Sequence, residues 1–461
     1  MILEQTSHSN HNKRLALIFA GWGMDARPFT AISRQGYDSA VAHSYHTHTS
    51  QLPEWIIHYE EICVIAWSYG VCMAEKWIQA HPQLPVTLKI AVNGTPTPVD
   101  DLTGIPRPIY EGTLQGLCER SVYKFYRRMC TTAEEFAKFK ANIPQRSITS
   151  LIDELAIFGD IRPTHPTAWD IAYVSDSDAI IPYDNQLRAW HNISDLRIMH
   201  NGHLPDFKTI LKECLIDKTD VEQKFTTHAH TYNSNATQQR QMCLHLAEKI
   251  KKAPCLKTCK ILEIGAGTGI LTQLYAPYAD CTKLDLWDLT PVPDSLPGTH
   301  RQCDAETAIK QLAPSTYNLI VSSSTIQWMN SPRRFVTDCV KVVAPGGKLF
   351  ISTFGPDTFK ELRHLLPISL RYPSTEEWQT LSLEDADIEV EEESTIMQFD
   401  TSAALMRHIS QTGATGCGTP DKEAVKACRA ILSSGITTLT YHSIYITITK
   451  HNNGQPTTDN A

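Results

Sequence analysis

The sequence predicts an α/β protein of two domains, each built on its own mostly parallel sheet. Three observations carry this. The chain has 461 residues, too many for one ordinary core; at roughly 150 residues per domain, two or three units are expected. Short apolar runs alternate with helical patterns in both halves, the signature of parallel strands joined by helices. A strand-turn-helix motif with small residues at the turn occurs once in each half, as Ala66-Trp67-Ser68-Tyr69-Gly70 and as Glu263-Ile264-Gly265-Ala266-Gly267-Thr268-Gly269.

Composition narrows the class. Apolar residues make up 42% and charged residues 20%, the balance of a soluble globular chain. The net charge of −8 argues against bulk nucleic-acid binding. The thirteen cysteines are scattered, and the one tight pair, Cys255 and Cys259, lacks a second ligand pair at zinc spacing, so no metal site is expected. Free thiols fit a reducing compartment. Lys13-Arg14 before Leu15 to Ala20 mimics a signal peptide, but the apolar run is short and leads into Gly21-Trp22-Gly23, so a buried strand is the better reading. No stretch approaches the ~20 apolar residues that span a membrane. A cytoplasmic location follows as the expectation.

The first domain is expected over 1–215. Ile2 to Gln5 and Leu15 to Phe19 read as a strand pair. Ile62 to Ile65 is a short apolar run suited to a central strand covered on both faces. Leu88 to Val92, Ile171 to Val174 and Leu196 to Met199 complete the sheet. Val71 to Ala80 is a helix stopping near His81-Pro82. From about 105 to 160 the alternation breaks: Leu114 to Cys130, Ala133 to Ala141 and Ile148 to Phe158 read as helices with no strand between them, a helical lid. Its basic residues are Arg107, Arg120, Lys124, Arg127, Arg128, Lys138, Lys140 and Arg146. They form either a solvated face or a dock for an acidic partner.

The second domain is expected over 219–450. A helix over Gln238 to Lys252 leads to the strand Lys260 to Ile264, followed by strands at Thr282 to Trp287, Leu319 to Ser322 and Lys348 to Ser352. Pro345-Gly346-Gly347 reads as a tight turn. Residues 451–461 are polar and read as a disordered tail.

The motif around Ser68 is a nucleophile elbow, which exposes a serine on a sharp strand-to-helix turn and needs small residues two positions to either side. Here these are Ala66 and Gly70. A serine hydroxyl needs a base to take its proton. His203 follows a strand, and so does Asp178, and the order Ser, Asp, His is that of an α/β-hydrolase. Asp176 is the second choice for the acid and His200 for the base. The oxyanion formed on attack needs two backbone donors, assigned to the amides of Tyr69 and Trp22, the latter flanked by Gly21 and Gly23.

The glycines at 265, 267 and 269 lie between a strand and the helix Ile270 to Tyr275, as in loops that bring backbone close to a ligand at a helix N-terminus. The motif reads as the glycine-rich loop of an S-adenosylmethionine (SAM) methyltransferase. An acid is then expected at the end of the next strand to bind ribose hydroxyls: Asp288, with Asp285 as the alternative. Asp304 is placed to meet an adenine amino group or to cap a helix. Glu263 sits beside the loop.

Residues 1 to about 215 resemble the BioG family of pimeloyl-carrier-protein methyl ester esterases. The matching stretches are Phe19 to Asp25, the elbow, Asn93 to Pro96 and Gly104 to Pro106. Residues from about 219 to 450 resemble the BioC family of malonyl-carrier-protein methyltransferases. Their matches are the glycine loop, Asp304 to Glu306, Ile326 to Trp328, Pro345 to Gly347 and Phe359 to Leu362, with Phe225, Tyr232 and Gln239 before them. Tyr317-Asn318 departs from the phenylalanine-aspartate pair usual there. The resemblance implies an α/β-hydrolase fold with a helical lid, followed by a Rossmann-like class I SAM-dependent methyltransferase. It implies a bifunctional enzyme of biotin synthesis that methylates the free carboxylate of malonyl-acyl-carrier protein and hydrolyses pimeloyl-carrier methyl ester. SAM is the implied cofactor and acyl-carrier protein the implied partner, with Arg120, Arg127 and Arg128 as its contacts.

Overall fold

The structure, a computed structural model, describes residues 1–9, 12–47, 52–159, 161, 168–193, 195–253, 256–365, 370–383, 385–411 and 422–452. The chain divides into two compact units, Met1–Lys212 and Glu213–Ala461. The tail expected over 451–461 lies, from 453 on, outside the described residues, as does Cys255.

Seven strands form the sheet of the first unit: β1 (Ile2–Ser7), β2 (Arg14–Phe19), β3 (Asp38–His43), β4 (Glu61–Trp67), β5 (Val86–Val92), β6 (Ile171–Ser175) and β7 (Leu196–Met199). Their order is β1-β3-β2-β4-β5-β6-β7. All pairs are parallel except β1 with β3. The expected strand pair between the first two apolar runs therefore does not form. β1 runs antiparallel to β3, with Ile2 opposite His43, and β2 lies between β3 and β4. β3 had no expectation because Asp38-Ser39-Ala40-Val41-Ala42-His43 lacks bulky apolar residues, yet every one of them is buried. Ile62 to Ile65 are fully buried at the centre, each such aliphatic side chain contributing about 1.5–3 kcal/mol.

Helix α1 (Gly70–Ala80) follows β4 directly. Between β5 and β6 come α2 (Arg107–Gln115), α3 (Glu119–Met129), α4 (Ala133–Lys140) and α5 (Ile148–Ala156), a helical insertion. The helix expected from Leu114 onward is broken in two. α2 ends at Gln115 with Gly116 as its C-cap, and the chain restarts at Cys118, whose amide donates to Ser121 Oγ at 2.8 Å. After β2 the chain turns to β3 on one side of the sheet, and from β4 it builds outward on the other. The C-terminal ends of β2 and β4 thus flank a topological switch point, where α/β sheets bind ligands.

The second sheet contains β8 (Ile261–Ile264), β9 (Leu284–Asp288), β10 (Thr299–Gln302), β11 (Tyr317–Ser323), β12 (Val343–Phe354), β13 (Ala386–Gln398) and β14 (Thr438–Lys450). Their order is β10-β9-β8-β11-β12-β14-β13. β14 and β13 are antiparallel additions at one end. Pro345 to Gly347 do not form a separate turn. They lie inside β12, where the pairing with β11 jumps from Tyr317 opposite Val343 to Leu319 opposite Lys348. β13 is an edge strand on which Glu389, Glu391, Glu392 and Glu393 are exposed. The switch point here lies between β8 and β11. No helix among the described residues is long and apolar enough to cross a membrane.

Candidate active sites

In the first unit, β4 ends at Trp67 and α1 starts at Gly70, leaving Ser68 at the bend with φ +57°. Such a conformation is rare and costly for a non-glycine residue and marks a functional strain when the surroundings enforce it. Gly70 makes the bend possible: a Cβ there would lie 2.2 Å from the Phe19 carbonyl oxygen. Ser68 Oγ stands 2.9 Å from His203 Nε2, and His203 Nδ1 stands 2.8 Å from Asp178 Oδ2. Both His203 and Asp178 side chains are buried. Asp178 is held as an acceptor on both oxygens: Oδ1 takes the amides of Ile180 and Ile181 at 2.8 and 3.0 Å, and Oδ2 also takes Gln186 Nε2 at 2.9 Å. The second choices pair with each other elsewhere, His200 Nδ1 to Asp176 Oδ2 at 2.6 Å, with the His200 ring 86% exposed. That hydrogen bond, with a second from Ser177, holds the Asp176 carboxyl below the usual carboxylate range.

Trp22 follows β2 and is 3% exposed. Its ring packs edge-on against Phe125 at 4.9 Å and donates to the Leu151 carbonyl at 2.9 Å. Neither its amide nor that of Tyr69 has a hydrogen-bond acceptor among the described residues. Sequence reasoning missed three supports. Asn93 Nδ2 donates to the His203 carbonyl at 3.0 Å, Gln186 braces Asp178, and Glu154 accepts the Gly23 amide at 3.0 Å. Asn93 could have been suspected from Asn93-Gly94 at a strand end; Gln186 and Glu154 sit on helices with no local signal.

Arg120, Arg127 and Arg128 lie on α3 and are exposed, as is Lys124 beside them. Arg127 also rests over the Phe136 ring at 5.6 Å. Arg146 does not belong to this surface. Its side chain is 6% exposed and ion-paired to Glu154 at 2.5 Å, because it bonds inward to backbone carbonyls as well.

In the second unit one cavity at the switch point is lined by Glu263, Gly265, Gly267, Asp288 and Asp304 together. Gly269 does not line it; it is the N-cap of α6 (Ile270–Tyr275), turning at φ +85°. Asp285 is also absent from the lining and instead accepts the Tyr317 hydroxyl at 2.6 Å. Asp288 ends β9, takes the Gly267 amide on Oδ2 at 2.8 Å, and takes Thr290 on Oδ1. Asp304 caps the short helix 305–308 by accepting the Glu306 amide, and it also lines the cavity. Glu263 Oε2 accepts Thr272 and Tyr275 hydroxyls at 2.9 and 2.7 Å. Burial, with the nearby Asp288 charge, outweighs those bonds and pushes its carboxyl up to about 7.

Two glycines of the loop shape the cavity differently. A Cβ at Gly265 would lie 1.9 Å from Thr325 Oγ1, whereas one at Gly267 meets nothing within 4 Å. Gln239, 5% exposed, lines the cavity, and its side-chain oxygen has no partner. Phe225 and Trp328, packed edge-on at 5.5 Å, form an apolar wall. Among the described residues no group of three or more His, Cys, Asp and Glu could hold a metal ion.

Comparison with known proteins agrees with this division. Residues 3–210 match the family described as pimeloyl-ACP methyl esterase BioG, and residues 235–415 match a methyltransferase domain. A malonyl-(acyl-carrier protein) O-methyltransferase of Bacteroides fragilis (strain 638R) is 32% identical, over 94% of this chain and 92% of its own. One from Acinetobacter baylyi is 30% identical over 50% of this chain and 96% of its own. The crystal structure of BioG from Haemophilus influenzae is 29% identical, covers 44% of this chain and 94% of its own, and superposes with a TM-score of 0.39.

Proposed function

Because the chain belongs to the malonyl-(acyl-carrier protein) O-methyltransferase family and carries a BioG-family domain before its methyltransferase domain, we propose that it is a bifunctional enzyme of biotin synthesis. Its second unit methylates the free carboxylate of malonyl-acyl-carrier protein. Its first unit hydrolyses pimeloyl-acyl-carrier-protein methyl ester. The observation that carries the esterase reading is the unbroken relay Ser68–His203–Asp178, at 2.9 and 2.8 Å, behind an elbow serine at positive φ.

In the first unit His203 Nε2 takes the Ser68 proton as Oγ attacks the ester carbonyl carbon. Asp178 holds the Nδ1 proton and steadies the imidazolium. The Trp22 and Tyr69 amides receive the oxyanion. Collapse of the tetrahedral intermediate breaks the bond to methoxide, which leaves as methanol with the proton from His203. A water, deprotonated by His203, then releases the acyl group from Ser68 as the free carboxylate.

In the second unit the cofactor is SAM, which supplies an electrophilic methyl group when bound. Asp288 would hold the ribose hydroxyls, Asp304 would meet the adenine amino group, and Gly265 and Gly267 would admit the ligand to the backbone. Glu263 and the unpartnered Gln239 oxygen suit its cationic amino-acid end. The acceptor is a carboxylate, ionised at neutral pH, so no strong base is required. Alignment of donor and acceptor in a dry site is the protein's contribution.

The two activities have one logic. Methylation hides a terminal charge that an apolar elongation site rejects, since burying it unpaired is costly. Hydrolysis restores the charge once the chain has grown. The exposed arginines at 120, 127 and 128 give the acidic carrier its contact. The test offers the full chain malonyl-carrier protein with labelled SAM, then pimeloyl-carrier methyl ester, and follows both products by mass spectrometry. Ser68→Ala abolishes hydrolysis and spares methyl transfer; persistent hydrolysis in that variant rejects the nucleophile.

A further inference from the structure

The turn Gly21-Trp22-Gly23 is held from the lid. The Gly23 amide donates to Glu154 Oε2 at 3.0 Å, and the Gly23 carbonyl accepts the Tyr126 hydroxyl at 2.9 Å. The Trp22 indole donates to the Leu151 carbonyl at 2.9 Å. Tyr126 is on α3, and Leu151 and Glu154 are on α5. Thus both polar groups of the Gly23 backbone, and the ring of the residue before it, are fixed by helices outside the sheet.

Glu154 is fully buried. Its second oxygen accepts the Tyr45 amide at 2.8 Å, from the loop that follows β3. Arg146 Nη1 meets Oε2 at 2.5 Å and donates to the Met24 carbonyl at 3.3 Å. Arg146 Nη2 reaches Ser150 Oγ at 2.7 Å and His46 Nδ1 at 3.3 Å. A buried ion pair seldom adds stability over apolar packing of the same volume. What a doubly accepting carboxylate adds is direction. It fixes amides from the ends of two neighbouring strands in one orientation, beside Gly21, whose added Cβ would sit 3.1 Å from Ser68 Cβ.

We propose that Glu154 is a positioning residue for ester hydrolysis: a lid-borne carboxylate that orients the Gly21–Gly23 turn so that the Trp22 amide faces the oxyanion. This rests on the esterase reading of the first unit. The lid is then part of the catalytic frame as well as a cover, and loosening its grip on the turn lowers turnover even for substrates that make no contact with a carrier.

The test uses the full chain with a short-chain nitrophenyl ester and the matching thionoester, whose sulfur accepts hydrogen bonds poorly and so draws little from the oxyanion donors. Glu154→Gln keeps the side chain's size, and Tyr126→Phe removes only a hydroxyl. Glu154→Gln is expected to lower kcat on the oxoester by roughly ten- to a hundred-fold, with KM within about twofold. The ratio of oxoester to thionoester turnover falls in step, which general loosening of the unit does not produce. Tyr126→Phe shifts the ratio in the same direction by less. A folded Glu154→Gln, checked by circular dichroism, that keeps the wild-type ratio overturns the proposal, whether or not kcat drops. If that variant does not fold, a wild-type ratio in Tyr126→Phe overturns it instead. A wild-type chain that hydrolyses no ester overturns the esterase reading itself, and this inference with it.

Discussion

The indole N–H of Trp67 donates to the backbone carbonyl of His203 at 2.9 Å. The residue immediately before Ser68 therefore anchors the backbone of the residue that would take its proton, and the two rings lie 5.5 Å apart. Serine and histidine come from strand ends separated by 135 positions, yet one side chain ties both to a single piece of β4. Trp67→Phe keeps the ring and removes the donor. Asn93 still holds the same carbonyl, so a partial loss is expected: kcat on pimeloyl-carrier methyl ester falls about three- to tenfold, the loss of one hydrogen bond worth roughly 1 kcal/mol. Steady-state kinetics with equal KM check this; an unchanged kcat shows that Asn93 suffices.

Glu263 predicts a pH dependence. Its folded pKa is raised to about 7 by burial and by Asp288, so the folded state binds this proton more tightly than the unfolded chain does. Its contribution to stability is full below the unfolded value of roughly 4.3 and is lost as pH rises through about 7. For a fully buried carboxyl this is on the order of a few kcal/mol. Calorimetry of the second unit's transition without cofactor is expected to show a midpoint that falls between about pH 4.5 and 7 and levels off above, with the slope flattened in Glu263→Gln. An identical slope in that variant assigns the effect to another group.

Two glycines of one loop separate binding from folding. Gly265→Ala drives a Cβ onto Thr325 at positive φ and is expected to destabilise the second unit by about 2 kcal/mol or more. Gly267→Ala meets nothing within 4 Å, so it costs only the left-handed backbone strain of about 1 kcal/mol, while it narrows the cavity. Isothermal titration with SAM should show weakened binding in a folded Gly267→Ala protein.

The basic face of α3 predicts a salt-dependent interaction. Arg120→Glu, Arg127→Glu and Arg128→Glu together raise KM for the carrier-borne ester by about tenfold or more at low ionic strength. The difference from wild type shrinks as salt screens the pair. A loss that is insensitive to salt points to damage of α3, where Arg127 also packs on Phe136.

Chemistry was more legible in the sequence than pairing. Ser68, Asp178 and His203 each follow an apolar strand, and small residues at the elbow mark the bend locally. Glu263, Gly265, Gly267 and Asp288 are tied to strand ends by spacing alone. Gly269 stands in the same run but caps α6 outside the cavity lining; a glycine that turns the chain into a helix reads like one that admits a ligand. β10 (Thr-His-Arg-Gln) and β13 are polar strands at sheet edges, with no apolar run to announce them. β14 is rich in β-branched residues, but its place between β12 and β13 depends on pairing with Lys348 to Phe354, far away in the sequence, which no local pattern encodes. The supports Glu154 and Gln186 were hidden for the same reason, since their meaning lies in what they face across the fold.

β13 has a consequence beyond catalysis. A thirteen-residue edge strand that among the described residues pairs with a strand on one side only is the kind of template on which copies of a protein stack into fibres. Four glutamates along that border set like charge against like in any such stacking. A long ladder can therefore close the sheet of the second unit while its own charges oppose the addition of a further strand.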